Sequence, residues 1–287
     1  TAEDVYLRLH KGKQPDALQY TPDFRGRGQW QLWHGPDATA SADLRPAEWT
    51  PVRIEVSGSR AEVTVGAAGD PQLVTSRLAS GRTSGFIGFW ANQPGAAPGA
   101  PLSAAIRHIR VTPRTASVGD VAPSPAAESG VVRAWGVSRA FPHPGGDVLE
   151  LPRDVVSGPW TVTEARPDGL LPLELRVERP DGEGRPAVIA GLRLEADRER
   201  TVRLDLGFSD DASVFLDGRL LYSGRHSFST NFPRRQGLIT LDQASLYLPL
   251  QPGENVLMVV VSDAFGGWGV MGRIADRAGL RVEPWRG

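Results

Sequence analysis

Arg8, His10, Gln19 and Gln31 are planar or forked hydrogen-bonding side chains, and Tyr20 and Trp33 lie among them in the sequence. Arg and Gln can make paired hydrogen bonds to neighbouring hydroxyls, while an aromatic ring can cover the apolar face of a sugar. Together these residue types fit glycan holding. The competing reading is that Arg8 and His10 are satisfied inside a polar network and the tryptophans are core.

Cutting a glycan asks for more. Hydrolysis needs two carboxyls facing each other across the scissile bond, roughly 5 to 10 Å apart. Asp16, Asp23, Asp43 and Glu48 are isolated acids on expected loops. Asp16 adjoins the polar segment, and in a hydrolase Asp16 or His10 would have to serve as acid or base, although Pro15-Asp16-Ala17 equally suits a turn. The five histidines, His10, His34, His108, His143 and His226, show no zinc-binding spacing, and no Gly-x-Ser-x-Gly elbow is present. With no cysteine there is no disulfide, thiolate nucleophile or Cys-ligated zinc. Asp210 and Asp211 in Ser209-Asp210-Asp211 offer oxygen ligands for a structural calcium, or form a plain turn before the next strand. Phe265-Gly266-Gly267-Trp268-Gly269 reads as a loop presenting Trp268, or as a glycine-rich corner that lets Trp268 plug a sandwich.

Short strands must position these groups. In Val5 to His10, Val5, Leu7 and Leu9 share one face, leaving Tyr6, Arg8 and His10 on the other. The same period in Gln29 to Trp33 sets Gln29, Gln31 and Trp33 opposite Trp30 and Leu32. Further strands are expected at 52–57, 61–65, 73–77, 85–90 and 104–111, with a hairpin at Ser57-Gly58-Ser59. In the second half they are expected at 131–137, 160–164, 171–177, 188–195, 202–208, 213–216, 245–250 and 255–262. Asp217-Gly218 between Val214-Phe215-Leu216 and Leu220-Leu221-Tyr222 predicts a type I′ hairpin. With 33 glycines and 24 prolines punctuating short runs and no sustained helical stripe, the fold class is all-β, two β-sandwich or jelly-roll domains.

Residues 114–130 are rich in Pro, Ala, Ser and Gly and have too little apolar bulk to form a core, so they read as a linker between domains at 1–113 and 131–287. A formal net charge of −1 provides no basic field for nucleic acid. The run Val256 to Val261 is too short to span a bilayer and reads as a buried strand. A start at Thr1 fits a processed chain whose export signal is gone, giving an extracellular or periplasmic expectation.

Tyr6-Leu7-Arg8-Leu9-His10, Pro15 to Pro22, Trp30-Gln31-Leu32, Glu48-Trp49 with Val52 to Gly58, Gly85 to Trp90 and Ile106 to Val111 resemble the concanavalin A-like lectin/glucanase superfamily, in its bacterial LamG-like, DUF1080-type branch. The resemblance covers about residues 5 to 113 and implies a β-sandwich with strands ahead of Tyr6. The first sandwich is therefore expected to be N-terminally incomplete, completed by a cleaved N-terminal segment or a second polypeptide, since an open sandwich exposes edges and apolar faces. The branch includes proteins that cleave keto-sugar glycosides, although the Glu-x-Asp-x-x-Glu signature of the superfamily's glucanases is absent. Leu206 to Asp211, Val214 to Gly218, Leu248-Pro249-Leu250, Gly253-Glu254-Asn255 and Phe265 to Gly269 resemble a galactose-binding-like jelly roll, which implies an accessory role. The sequence thus predicts an exported carbohydrate-binding protein for a glycan or small saccharide. A glycoside hydrolase and a structural accessory subunit that docks a partner chain are the alternatives.

Overall fold

The computed structural model describes residues 2–7, 17–23, 30–35, 37–45, 48–67, 69–79, 87, 99, 105–113, 129–180, 184–228 and 237–287, with the backbone path alone for 2–7 and 23. Its described residues are nearly all β. The chain divides into two compact units: Thr1–Gly26, Trp33–Ala122 and Thr230–Pro233 form the first, and Arg27–Leu32, Pro123–Ser229 and Arg234–Gly287 the second.

In the first unit β1 (Ala2–Leu7), β2 (Leu18–Asp23) and β3 (Thr39–Ala40) make one antiparallel sheet. A second contains β4 (Val52–Ser57), β5 (Arg60–Val65) and β6 (Leu73–Thr75). The β4–β5 turn is the expected hairpin, closing at Ser57↔Arg60 with Gly58 at φ +59°. Leu18, Tyr20, Ala61, Val63, Val65 and Leu73 share one core. Val52, Ile54 and Val56 pair with Val65, Val63 and Ala61, so they lie on the same face, yet they are 44%, 50% and 57% exposed. The expected strand at 85–90 lies outside the described residues except for Ile87. Residues 105–113 carry no strand, and His108 at φ +56° interrupts the extended path that the apolar spacing suggested.

The second unit has two main sheets. The smaller orders its strands β10 (Leu171–Pro172), β17 (Gly269–Ile274), β12 (Arg200–Ser209) and β15 (Ala244–Leu250). The larger orders β14 (Arg219–Arg225), β13 (Asp211–Leu216), β16 (Gly253–Ser262), β11 (Pro186–Ala196), β7 (Ala134–Ser138) and β9 (Trp160–Glu164), and both β8 (Phe141–Pro142) and β18 (Leu280–Pro284) pair with β11. Between the sheets Leu192, Leu194, Val214, Val259 and Val261 meet Leu204, Leu206, Phe208, Leu248 and Val270. On the other side of the larger sheet Ala187, Ile189, Phe215, Met258 and Val260 pack with Phe141, Val148 and Val155, the last in the short helix α1 (Arg153–Val156). The central strands are thus covered on both faces, which is why β16 reads as a continuous apolar run rather than an alternation. Burial of that run follows the expectation for Val256 to Val261.

Two expected strands are helical. Trp30–Leu32 is a single 3-10 turn, because its backbone bonds go to loops of the second unit: Gln31 N donates to Gly266 O (3.4 Å) and Gln31 O accepts from Ile239 N (3.5 Å). The segment expected at 171–177 keeps a ladder only at Leu171–Pro172. Pro172 has no N–H to continue it, and the good helix formers of Leu173–Arg176 make one helical turn, α2. The Asp217-Gly218 hairpin forms as expected, with Leu216↔Arg219 paired and positive φ at both turn residues (+50° and +76°).

Candidate functional site

At the end of the sandwich where β12 passes into β13, the 3-10 turn brings Trp30 against Phe228, ring centroids 5.3 Å apart and nearly perpendicular. Phe228 in turn lies 6.0 Å from Phe265. Phe265 is 58% exposed, and Trp30 and Phe228 are half-buried. Three rings from three distant parts of the sequence therefore make one partly exposed aromatic group.

A buried polar brace holds them. The Asp210 carboxylate is fully buried, and its Oδ2 accepts the backbone N–H groups of Ala264 (2.5 Å) and Phe265 (2.7 Å). Ser209 Oγ lies 3.1 Å from Asp210 Oδ1 and 3.0 Å from Gln31 Oε1, a hydroxyl shared between the two acceptors. His226 N donates to Asp210 O at 2.7 Å, tying down the strand that leads to Phe228. Glycine is required around Gln31: a Cβ on Gly237 (φ +70°) would fall 1.9 Å from Gln31 Nε2, and one on Gly266 (φ +90°) would fall 2.9 Å from its Cδ. Burial pushes the Asp210 carboxyl up to about 6, against the backbone donors and with a further push from the nearby Asp263 charge.

Beside the brace Arg179 bridges the buried carboxylates of Glu174 and Asp263. Its guanidinium carbon stands 5.7 Å from the ring centroid of Trp268. Trp268 is fully buried with Nε1 donating to Val261 O at 3.1 Å, so the glycine-rich corner holds it as a plug. Arg185 donates to Asp211 Oδ2 at 2.8 Å, and Ser227 Oγ approaches Asp211 Oδ1 at 3.5 Å. The Asp210 and Asp211 carboxylates are thus occupied by protein donors, and no group of three or more potential metal ligands is found among the described residues.

The other residues singled out in the sequence lie elsewhere. Arg8, His10 and Asp16 are outside the described residues. Gln19 and Tyr20 belong to the first unit and are buried at 0% and 1% exposure. Gln19 Nε2 donates to Trp33 O at 2.7 Å, Tyr20 Oη accepts from Ala79 N at 2.7 Å, and Tyr20 meets Trp33 edge-on at 5.8 Å. In these positions Gln19 and Tyr20 are buried in the first unit. Gln31 belongs to the second unit, in Arg27–Leu32. It too is fully buried, and its Oε1 accepts from Ser209 Oγ in the brace. Phe228 and Phe265 were missed as a pair. Phe265 had a signal, an aromatic opening a glycine-rich loop, but nothing local links it to Phe228.

No protein-family model matches the chain, and no curated protein sequence matches it. Solved structures similar to it include a family 35 carbohydrate-binding module from an environmental isolate, at 14% identity over 34% of this chain and 71% of that one with a TM-score of 0.24. A β-glucosidase from Kluyveromyces marxianus in complex with glucose matches at 13% identity over 53% of this chain and 17% of the enzyme, with a TM-score of 0.31. The PA14 domain of an antifreeze protein matches at 9% identity over 57% of this chain and 97% of the domain, with a TM-score of 0.30. All of these are β-rich.

Proposed function

We propose that this is a carbohydrate-binding protein whose second unit holds a neutral glycan against Phe265, Trp30 and Phe228. The observation that carries the reading is the exposed Phe265 ring, joined to two further rings and fixed from beneath by Asp210, Ser209 and Gln31. A solvent-facing aromatic costs solvation free energy unless something covers it, and a sugar ring brings an apolar C–H face edged by hydroxyls. Rigid anchoring of the ring-bearing loops lowers the ordering cost on binding.

Asp210 serves this site as a brace rather than as a catalytic acid. A carboxyl titrating near 6 suits a general acid, but this one is buried and both its oxygens already accept hydrogen bonds, so it cannot reach a glycosidic oxygen.

The test is a panel of neutral α- and β-linked oligosaccharides titrated into the wild type and Phe265→Ala. We expect at least one to bind, with affinity falling about tenfold in the variant, about 1.4 kcal/mol, while the folding midpoint is unchanged. No binding across the panel, or binding indifferent to Phe265→Ala, overturns the reading.

A further inference from the structure

A cleft opens on the face of the larger sheet that is turned away from the smaller one, where the segment 143–148 lies over β13 and β14. Ala212, Val214 and Leu216 of β13 fill the inter-sheet core, so Asp211, Ser213 and Phe215 point the other way. Phe215 packs there among apolar side chains, but Asp211 and Ser213 join His143, Asp147 and Ser223 in lining a cleft of about 180 Å³ that is open to solvent. Val148 and Val260 supply its apolar wall. The segment is fixed at both ends: His143 N donates to Arg185 O at 2.8 Å, and Val148 is buried in the core. Gly145 and Gly146, at φ +84° and +68°, make the bend between them.

This corner carries more hydrogen-bonding capacity than the described residues use. Ser213 and Ser223 sit directly across from each other, and their Oγ atoms, 3.4 Å apart, share at most one hydrogen bond, which leaves a hydroxyl hydrogen and further lone pairs. Asp211 Oδ2 accepts from Arg185 Nη2 at 2.8 Å, whereas among the described residues Oδ1 meets only Ser227 Oγ, at 3.5 Å. Gly145 N donates to His143 Nδ1 at 3.1 Å, so the neutral imidazole carries its hydrogen on Nε2. Burial, and next the Arg185 guanidinium, lower His143 below its ordinary value and favour that neutral form. Ser262, across from Asp211 on β16, is buried, and its Oγ has no hydrogen-bond partner among the described residues. Arg185 offsets the charge of Asp211, and Arg225, 3.7 Å away, offsets that of Asp147, so these groups together are neutral.

We propose that this cleft binds the terminal pyranose of a neutral glycan through a vicinal diol. The two carboxylates disfavour an anion and the two guanidinium groups disfavour a cation. A sugar hydroxyl both donates and accepts, and so can serve a carboxylate oxygen, a serine pair and an imidazole N–H at once. The inner part of the cleft has room for about one water-sized group, so one hydroxyl enters while its neighbour stays at the rim and the C–H groups of the ring meet Val148 and Val260. Edge-on entry suits a terminal unit, whose hydroxyls are not used in linkages. The cleft shares no lining residue with the Phe265 group, and hydrogen bonds rather than stacking hold its ligand.

The test is titration of the full chain with the methyl glycosides of glucose, galactose, mannose and xylose, which stand in for chain ends, read from the imidazole NMR signals of His143. At least one is expected to shift those signals with a Kd in the millimolar range, weakening about fivefold in Ser223→Ala and in Asp147→Ala. Ser223 is partly exposed on the edge strand β14 and the Asp147 side chain is half-exposed on its turn, so both variants should keep the folding midpoint of the wild type. Phe265→Ala should leave this binding unchanged, which separates failure of the cleft from failure of the aromatic site. The proposal is overturned if none of the four glycosides moves the His143 signals, if Ser223→Ala and Asp147→Ala both leave binding unaltered, if glycerol binds as tightly as the best glycoside, or if Phe265→Ala abolishes binding.

Discussion

The larger sheet of the second unit and the β4–β5–β6 sheet of the first carry similar apolar rows, and they are treated differently. In the second unit a sheet covers one face of β11, β13 and β16 and the 141–156 segment with α1 covers the other, so residues such as Ile189, Val214 and Val259 have no exposure. In the first unit Val63 and Val65 on β5 are buried, but their cross-strand partners Ile54 and Val52 on the edge strand β4 stand half-open. The same period-two pattern therefore defines a face without deciding whether anything lies on it. Coverage comes from residues far away in sequence.

The widest contrast should come from the plug. Trp268→Ala removes a fully buried ring against the inter-sheet core and is expected to cost about 3–5 kcal/mol of folding free energy in chemical denaturation. A loss under about 1 kcal/mol would mean that the corner does not rely on the ring.

A second contrast is in pH. Asp210 titrates at about 6 when folded, against 3.8 for an ordinary Asp, so between these values the folded state holds a proton that the unfolded chain has released. Its stabilising contribution is full below about 3.8 and is lost as pH rises through about 6, a change of up to about 3 kcal/mol. Asp210→Asn keeps an acceptor for the Ala264 and Phe265 N–H groups and should flatten this dependence in the second unit. An unchanged pH profile would contradict the assignment to Asp210.

The smallest effect belongs to the open row. Ile54→Thr preserves β-branching on an exposed edge strand and is expected to change stability by no more than about 0.5 kcal/mol. A cost of several kcal/mol would show the β4 row to be covered after all.

How much of this was legible follows the same division between local and distant. Hairpins were readable, because Asp217-Gly218 and Ser57-Gly58-Ser59 carry their geometry in the turn residues themselves. The buried run of β16 was readable from its unbroken hydrophobicity. The segments at 30–32 and 173–176 were misread as strands, since alternation in short windows cannot register a proline that lacks its N–H or backbone partners supplied by distant loops. Gln19 and Gln31 show the same limit at the level of side chains. They look alike in the sequence, both are fully buried, and their surroundings differ: one carboxamide, on β2, ties down the Trp33 backbone, while the other fills space left by Gly237 and Gly266 beside Trp30, which meets Phe228. The aromatic group needed three segments to meet, and no window of sequence contains them.

The most direct measurement is the indole N–H spectrum of the full chain as a bound neutral oligosaccharide is added, with the signals of Trp30 and Trp33 assigned through Trp30→Phe and Trp33→Phe. The account predicts that the Trp30 signal shifts on saturation while those of Trp33 and the buried Trp268 stay in place. A shift at Trp33 with Trp30 unmoved would place the glycan in the first unit and contradict it.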